Sequence, residues 1–156
     1  MCACVFPLFS PGQQFALRAM ATIFMPQIMK IGAGVCRQLP DVLRKLNCKQ
    51  PLLVTDAFVQ KSAMMKPTES ALSEAGMRSH TFAGVVPDPT TDSLVPAIEL
   101  MRQTPDIDCV VGFGGGSSLD TAKVLAVLAR HPGPLRQHKV PFVAERGCCH
   151  ASHAFM

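Results

Sequence analysis

The chain has 156 residues, 48% of them hydrophobic and 17% charged, with 11 glycines and 13 prolines. That length makes one domain with a proper core, and the composition excludes a disordered, collagen-like or low-complexity chain. The formal net charge of +4 sits mostly in residues 130–156, where Arg130, Arg136, Lys139 and Arg146 face only Glu145; with no basic stripe on the body and neither Trp nor Tyr, nucleic acid is not an expected partner.

Residues 1–21 are apolar with one charge, Arg18. A secretory signal puts its basic residues ahead of the apolar run, and a mitochondrial presequence carries several arginines. This stretch is therefore expected to be a poorly ordered extension. A strand is predicted over Gln27–Ile31, closed by Gly32-Ala33-Gly34. Leu39, Val42 and Leu46 give Val35–Leu46 a helical spacing. Pro51–Thr55 is a compact apolar run ending at Asp56, the pattern of a buried parallel strand. Ala57–Met65 and Pro67–Ala75 read as helices, with Pro67 as a boundary and Gly76 as a stop. His80–Val85 is a weaker strand, and Pro87 and Pro89 make the following Val86–Thr91 a loop. A helix over Ser93–Gln103 accommodates Pro96 in its first turn. Cys109–Phe113 is a further buried strand, and Ser117–Arg130 a helix that is apolar almost all round after Lys123. Strands and helices alternate, so right-handed crossovers predict an α/β fold: a Rossmann-like parallel sheet with helices on both faces.

Residues 109–123 (CVVGFGGGSSLDTAK) concentrate the chemistry. A buried strand runs into Gly114, Gly115 and Gly116, then Ser117, then a helix. Glycines let the backbone approach a bulky anion, and a helix start offers unpaired amides at its positive end. Together they suit a diphosphate. Ser117 and Asp120 also have capping-box spacing. The segment is not a P-loop, because no Gly-Lys pair exists. Its glycines also follow a late strand, unlike the usual dinucleotide fingerprint. Asp56 ends an earlier strand, and parallel strands bring their carboxyl ends together. It is either a ribose-binding carboxylate, which favours NAD over NADP, or a plain turn or N-cap aspartate.

Seven cysteines, Cys2, Cys4, Cys36, Cys48, Cys109, Cys148 and Cys149, form no CxxC pair and are odd in number. They are expected to be free thiols in a reducing, cytoplasmic setting. No apolar run reaches the ~20 residues that span a bilayer, so no membrane partner is expected. Cys148, Cys149, His150 and His153 invite a zinc reading, but adjacent residues converge poorly on a tetrahedral centre. His80, His131 and His138 are isolated.

The run Gly114 to Lys123 resembles the GGGSxxDxAK segment of the iron-containing (group III) alcohol dehydrogenases. Phe24-Met25-Pro26 with Gly32-Ala33-Gly34, Leu52–Asp56, and Gly84–Thr90 are similar, in order, to that family's opening strand and turn, its LLVTD strand and its V-x-P-[ND]-P-T loop. The resemblance covers residues 22–143 and implies the N-terminal nucleotide-binding domain, of the dehydroquinate synthase-like type. It implies that Asp56 binds the adenosine ribose of NAD, that Asp88 lies beside the cofactor, and that Gly115, Gly116 and Ser117 contact the diphosphate. It implies no catalytic residue within this stretch. In the complete family enzyme, one Asp and three His hold Fe or Zn, the substrate is a small alcohol or aldehyde, and a homo-oligomer is compatible with the fold. Residues 144–156 match nothing in the family, and the metal domain is absent from the sequence.

The expected function is therefore the NAD-binding part of an iron-containing alcohol dehydrogenase, inactive alone. One alternative is a non-catalytic nucleotide-binding or interaction module, in which Val124, Leu125, Val127 and Leu128 lie bare on the last helix. Another is a fragment of a polyol dehydrogenase or a dehydroquinate-synthase-like enzyme.

Overall fold

The computed structural model describes residues 2–7, 28–130 and 154–155. In chain order the elements begin with strands β1 (Cys2–Pro7) and β2 (Ile28–Met29). A 3-10 turn, Val35–Gln38, leads into α1 (Leu39–Lys45). Then come β3 (Pro51–Val54), α2 (Ala57–Lys61), α3 (Lys66–Glu74) and β4 (His80–Phe82). A second 3-10 turn, Asp92–Leu94, opens α4 (Val95–Gln103). β5 (Cys109–Gly114), α5 (Gly116–Arg130) and β6 (Ala154–Phe155) complete the list.

Local chemistry sets these boundaries. Helices α1, α3 and α4 each place a proline in the first turn, where its missing N–H costs nothing. Gly76 ends α3 in the left-handed conformation (φ 71°), and the Met77 amide turns back to the Leu72 carbonyl at 2.9 Å. Asn47 does the same for α1 (φ 57°), with the Cys48 amide on the Leu43 carbonyl at 2.9 Å. Asparagine tolerates this conformation better than most residues. The helix predicted over Ala57–Met65 stops early, at Lys61. The Ser62 hydroxyl donates to the Val59 carbonyl at 2.6 Å while its backbone is extended, an alternative to helix that serine offers.

The sheet order is β2-β6-β1-β5-β3-β4. The expected parallel arrangement is seen in β4, β3 and β5, with Leu52 beside both His80 and Val110. On the other side of β5, β1 runs antiparallel, Cys2 opposite Gly114 and Pro7 opposite Cys109. Residues 2–7 are thus a strand, where a poorly ordered extension was expected. The reason is the free edge of β5: a buried strand with one unpaired row of N–H and C=O groups needs a partner. The uncharged run CACVFP can supply one. The remainder of 1–21, the domain edges at 22 and 143, and most of 144–156 lie outside the described residues.

Alternation along β3 and β5 divides the core in two. Leu53, Cys109, Val111 and Phe113 pack with Leu39, Val42 and Leu43 of α1, Val59 of α2 and Leu72 of α3. Leu52, Val54 and Val110 pack on the opposite face with Ala97 of α4 and Ala122, Leu125 and Ala126 of α5. Both faces are covered, which is why these strands read as unbroken apolar runs. Leu125 is fully buried and Val124, Val127 and Leu128 are half-buried. The apolar helix face expected to lie bare in an interaction module is thus covered in part: Leu125 packs in the core of the sheet, and the other three keep some exposure.

The α5 packing depends on Gly112. A Cβ there would sit 3.0 Å from Ala122 Cβ and 3.1 Å from Leu119 Cα. Leu119 Cα belongs to the helix backbone and cannot swing aside. We expect Gly112→Ala to lower stability by about 1–3 kcal/mol through overpacking, read as a shifted urea midpoint; an unchanged midpoint would refute the close approach.

Candidate functional site

β3, β4 and β5 are parallel, so the segments that follow them emerge on one edge of the sheet. The segment after β5 is the glycine bend. Gly114 has φ +139°, and a Cβ there would stand 2.9 Å from Ser118 Oγ and 3.7 Å from Asp56 Oδ2. Only glycine takes that turn without strain. Gly115 and Gly116 are exposed, and a Cβ on either would meet nothing within 4 Å. The bend is open, not plugged by neighbouring side chains.

α5 starts at Gly116 and runs 15 residues. The Leu119 amide is bound to the Gly115 carbonyl at 3.1 Å. The amides of Gly116, Ser117 and Ser118 precede it and have no helical acceptor, as at any helix start. Free amides, the positive end of a long helix and open space above two glycines are the features an anion such as a diphosphate requires. By that test the residues present fit a dinucleotide. Ser117 is half-buried and Ser118 is 1% exposed.

Asp56 is at once a cap and a neighbour of the bend. It is the N-cap of α2, where Oδ1 accepts from the Val59 amide at 2.8 Å. Its other oxygen is the one facing Gly114. Of the two readings left open by the sequence, the N-cap is seen here, and the second oxygen of this half-buried carboxylate is left beside the bend. Asp88 stands one strand further along the edge, exposed in the loop after β4, with φ +48°. The structure thus brings Asp56 beside Gly114 in the bend, while Asp88 follows the neighbouring strand β4.

The capping-box expectation for Asp120 is corrected. Because α5 begins at Gly116, Asp120 falls in the second turn. It pairs with Lys123 Nζ at 3.0 Å on the exposed face, as residues three apart on a helix can. Sequence reasoning left Gly114 and Ser118 out of the candidate site. Gly114 is the bend's positive-φ residue and Ser118 closes the wall beneath it; the unbroken Gly-Gly-Gly-Ser-Ser run was the available signal.

Among the described residues, one group of three His, Cys, Asp or Glu donors is close enough to hold a metal: Cys48, Asp108 and Cys109. It lies at the start of β5, away from the bend. No Asp-plus-three-His set occurs among the described residues, so the family's metal has no fitted ligands there. His131, His138 and the Cys148–His153 group lie outside them. Cys36, Cys48 and Cys109 are free thiols. No helix of the described residues is long and apolar enough to cross a membrane.

The cap function of Asp56 is separable from any ligand. We expect Asp56→Ala to cost about 1 kcal/mol in unfolding free energy, whereas Asp56→Asn keeps most of the cap. Equal urea midpoints for the two variants would show that the Val59 hydrogen bond contributes nothing.

Comparison with known proteins places the chain in a family. The family model described as iron-containing alcohol dehydrogenase matches residues 26–146. The long-chain-alcohol dehydrogenase 1 of Geobacillus thermodenitrificans is 33% identical over 120 residues, 77% of this chain and 30% of that protein. The NAD-dependent methanol dehydrogenase of Bacillus methanolicus is 29% identical, over 77% of this chain and 31% of its own length. The crystal structure of a 1,3-propanediol oxidoreductase superposes with a TM-score of 0.64 at 28% identity, covering 72% of this chain and 29% of that one. This chain spans about three-tenths of the length of the curated relatives it matches, corresponding to their N-terminal region. With the family model matching most of the chain, the chain belongs to the iron-containing alcohol dehydrogenase family.

Proposed function

We propose that this chain is the NAD-binding part of an alcohol dehydrogenase. The diphosphate lies over Gly115, Gly116 and Ser117, the adenosine ribose meets Asp56, and Asp88 stands beside the cofactor. The observation that carries this reading is the unfilled space above Gly115 and Gly116 at the exposed amide end of α5, with Asp56 against the same bend.

Each residue has a definite task. The amides of Gly116 and Ser117 donate to phosphate oxygens, where the helix dipole adds to the attraction. Any side chain at Gly115 or Gly116 would take up the space the phosphates need. Asp56 Oδ1 stays on its own helix, and Oδ2 accepts from a ribose diol. The same negative charge repels a 2′-phosphate, so NAD is preferred to NADP. Pairing with Lys123 keeps the Asp120 charge from opposing the diphosphate. When bound, NAD supplies the nicotinamide carbon that accepts hydride, and the chain's role is to fix its position.

No step is assigned to a metal, because the described residues include no ligand set like the family's. In the complete enzyme, Fe or Zn and a small alcohol or aldehyde meet outside this segment. We therefore propose that the chain alone does not turn over alcohol. A cytoplasmic location and a homo-oligomeric complete enzyme belong to the same reading.

Calorimetric titration of the full chain with NAD tests the site. Gly116→Asp should abolish the binding isotherm, since it puts both a side chain and a negative charge in the cradle; an isotherm like that of the parent would refute the assignment. In a separate assay, the chain with NAD, an alcohol and added Fe²⁺ or Zn²⁺ is expected to form no NADH. Steady NADH production would refute the proposed inactivity without touching the binding site.

A further inference from the structure

The end of β5 remote from the glycine bend holds a second cluster of reactive groups. Cys109 opens β5 and pairs with Pro51 at the start of β3. Cys48 comes three residues before Pro51, fixed by the left-handed turn at Asn47 and the bond from its amide to the Leu43 carbonyl. Cys48 Sγ, Cys109 Sγ and a carboxylate oxygen of Asp108 all lie within 4.8 Å of one another. Cys109 is 0% and Cys48 4% exposed, and Asp108 is half-buried.

Asp108 is held in place by its neighbours. Its two oxygens accept from the Lys49 amide at 2.6 Å and the Gln50 amide at 2.9 Å. Each oxygen keeps a further lone pair. No Lys or Arg among the described residues forms an ion pair with Asp108; the recorded pairs are Arg44–Asp41 and Lys123–Asp120. Three acidic groups therefore share one sheltered corner, and no Lys or Arg of the described residues is ion-paired with its carboxylate. The thiols feel it: the hydrogen bond between them, burial and the Asp108 charge push Cys109 well above the usual thiol range. That shared hydrogen bond holds Cys48 below it, against burial and the same charge.

We propose that Cys48, Cys109 and Asp108 form a binding site for a thiophilic divalent cation of the zinc class, distinct from the family's catalytic metal. Soft thiolates with one carboxylate select such an ion. Two ligands each about 2.3 Å from one ion lie at most about 4.6 Å apart, so the three donors close on it with small side-chain movements. The amides on Asp108 orient the carboxylate as second-layer partners do in metal sites. On binding, the two thiol protons pass to water as two metal–sulfur bonds form, and no electrons are exchanged. Water on the half-exposed side of Asp108 completes the shell. The ion would tie the end of α1 to the amino ends of β3 and β5.

The test uses the full chain with Cys2, Cys4, Cys36, Cys148 and Cys149 changed to Ser, which leaves only the two thiols in question. Cadmium is the probe, read by its thiolate charge-transfer absorption in the ultraviolet. The band should saturate at one equivalent and be displaced by Zn²⁺. It should vanish in Cys48→Ala and in Cys109→Ala, and Asp108→Asn should weaken binding about tenfold or more. No band, or a band retained in Cys48→Ala, overturns the proposal. If the alanine variants do not fold, zinc-edge X-ray absorption on the folded parent decides: two sulfur neighbours at about 2.3 Å support the site, and a shell of oxygen and nitrogen alone overturns it. Neither readout involves NAD, so failure here leaves the dinucleotide reading intact.

Discussion

The approach of α5 to β5 at Gly112 governs the rest of the structure. With no Cβ between them, strand and helix backbones come close enough for Ala122 and Leu119 to touch the sheet directly. The helix therefore lies flat, and its first turn arrives beside the end of the strand it follows. The bend between them then has only Gly115 to spare before α5 begins. Such a short connection must take unusual backbone angles, and Gly114 supplies them. Openness above Gly115 and Gly116 is the outcome: the chain turns using bare backbone, and bare backbone leaves amides accessible to an anion.

The sheet makes this arrangement rigid. β3 and β5 are buried on both faces, and the two halves of the core alternate along them residue by residue. A slip of one residue would exchange the two sets of side chains, so the register is strongly fixed. Asp56 and Gly114 are thereby held side by side at the ends of neighbouring strands. Asp56 also caps α2, which anchors the carboxylate through Oδ1 and leaves Oδ2 oriented toward the bend. In the proposed reading one residue would serve both folding and recognition, because a carboxylate has two oxygens with several lone pairs.

Much of this was legible in the sequence. Continuous apolar runs marked β3 and β5, prolines marked the starts of α3 and α4, and Gly76 marked a helix end, all of them local signals. The Gly-Gly-Gly-Ser-Ser run between a buried strand and a helix marked the open bend and the start of α5. What stayed hidden was non-local. That CACVFP would pair with β5 depends on an edge formed a hundred residues later, which no window of sequence contains. The meeting of Cys48 with Cys109 depends on β3 and β5 being neighbours and on Asn47 taking a left-handed turn. No spacing rule joins two cysteines that far apart. Asp120 misled because its capping spacing was real but the helix began one residue earlier.

The antiparallel pairing of β1 with β5 also shapes how the molecule assembles. Cys2 finds its partner only at Gly114, so β1 waits for a strand that lies far along the chain before it gains this hydrogen-bonded neighbour. Closing so long a loop is entropically slow compared with the βα units between. During synthesis the strand is an uncharged, unpaired ribbon in search of an edge, and any exposed edge will accept it. Nascent chains on crowded polysomes are thus exposed to strand exchange with one another until β5 emerges to claim its own.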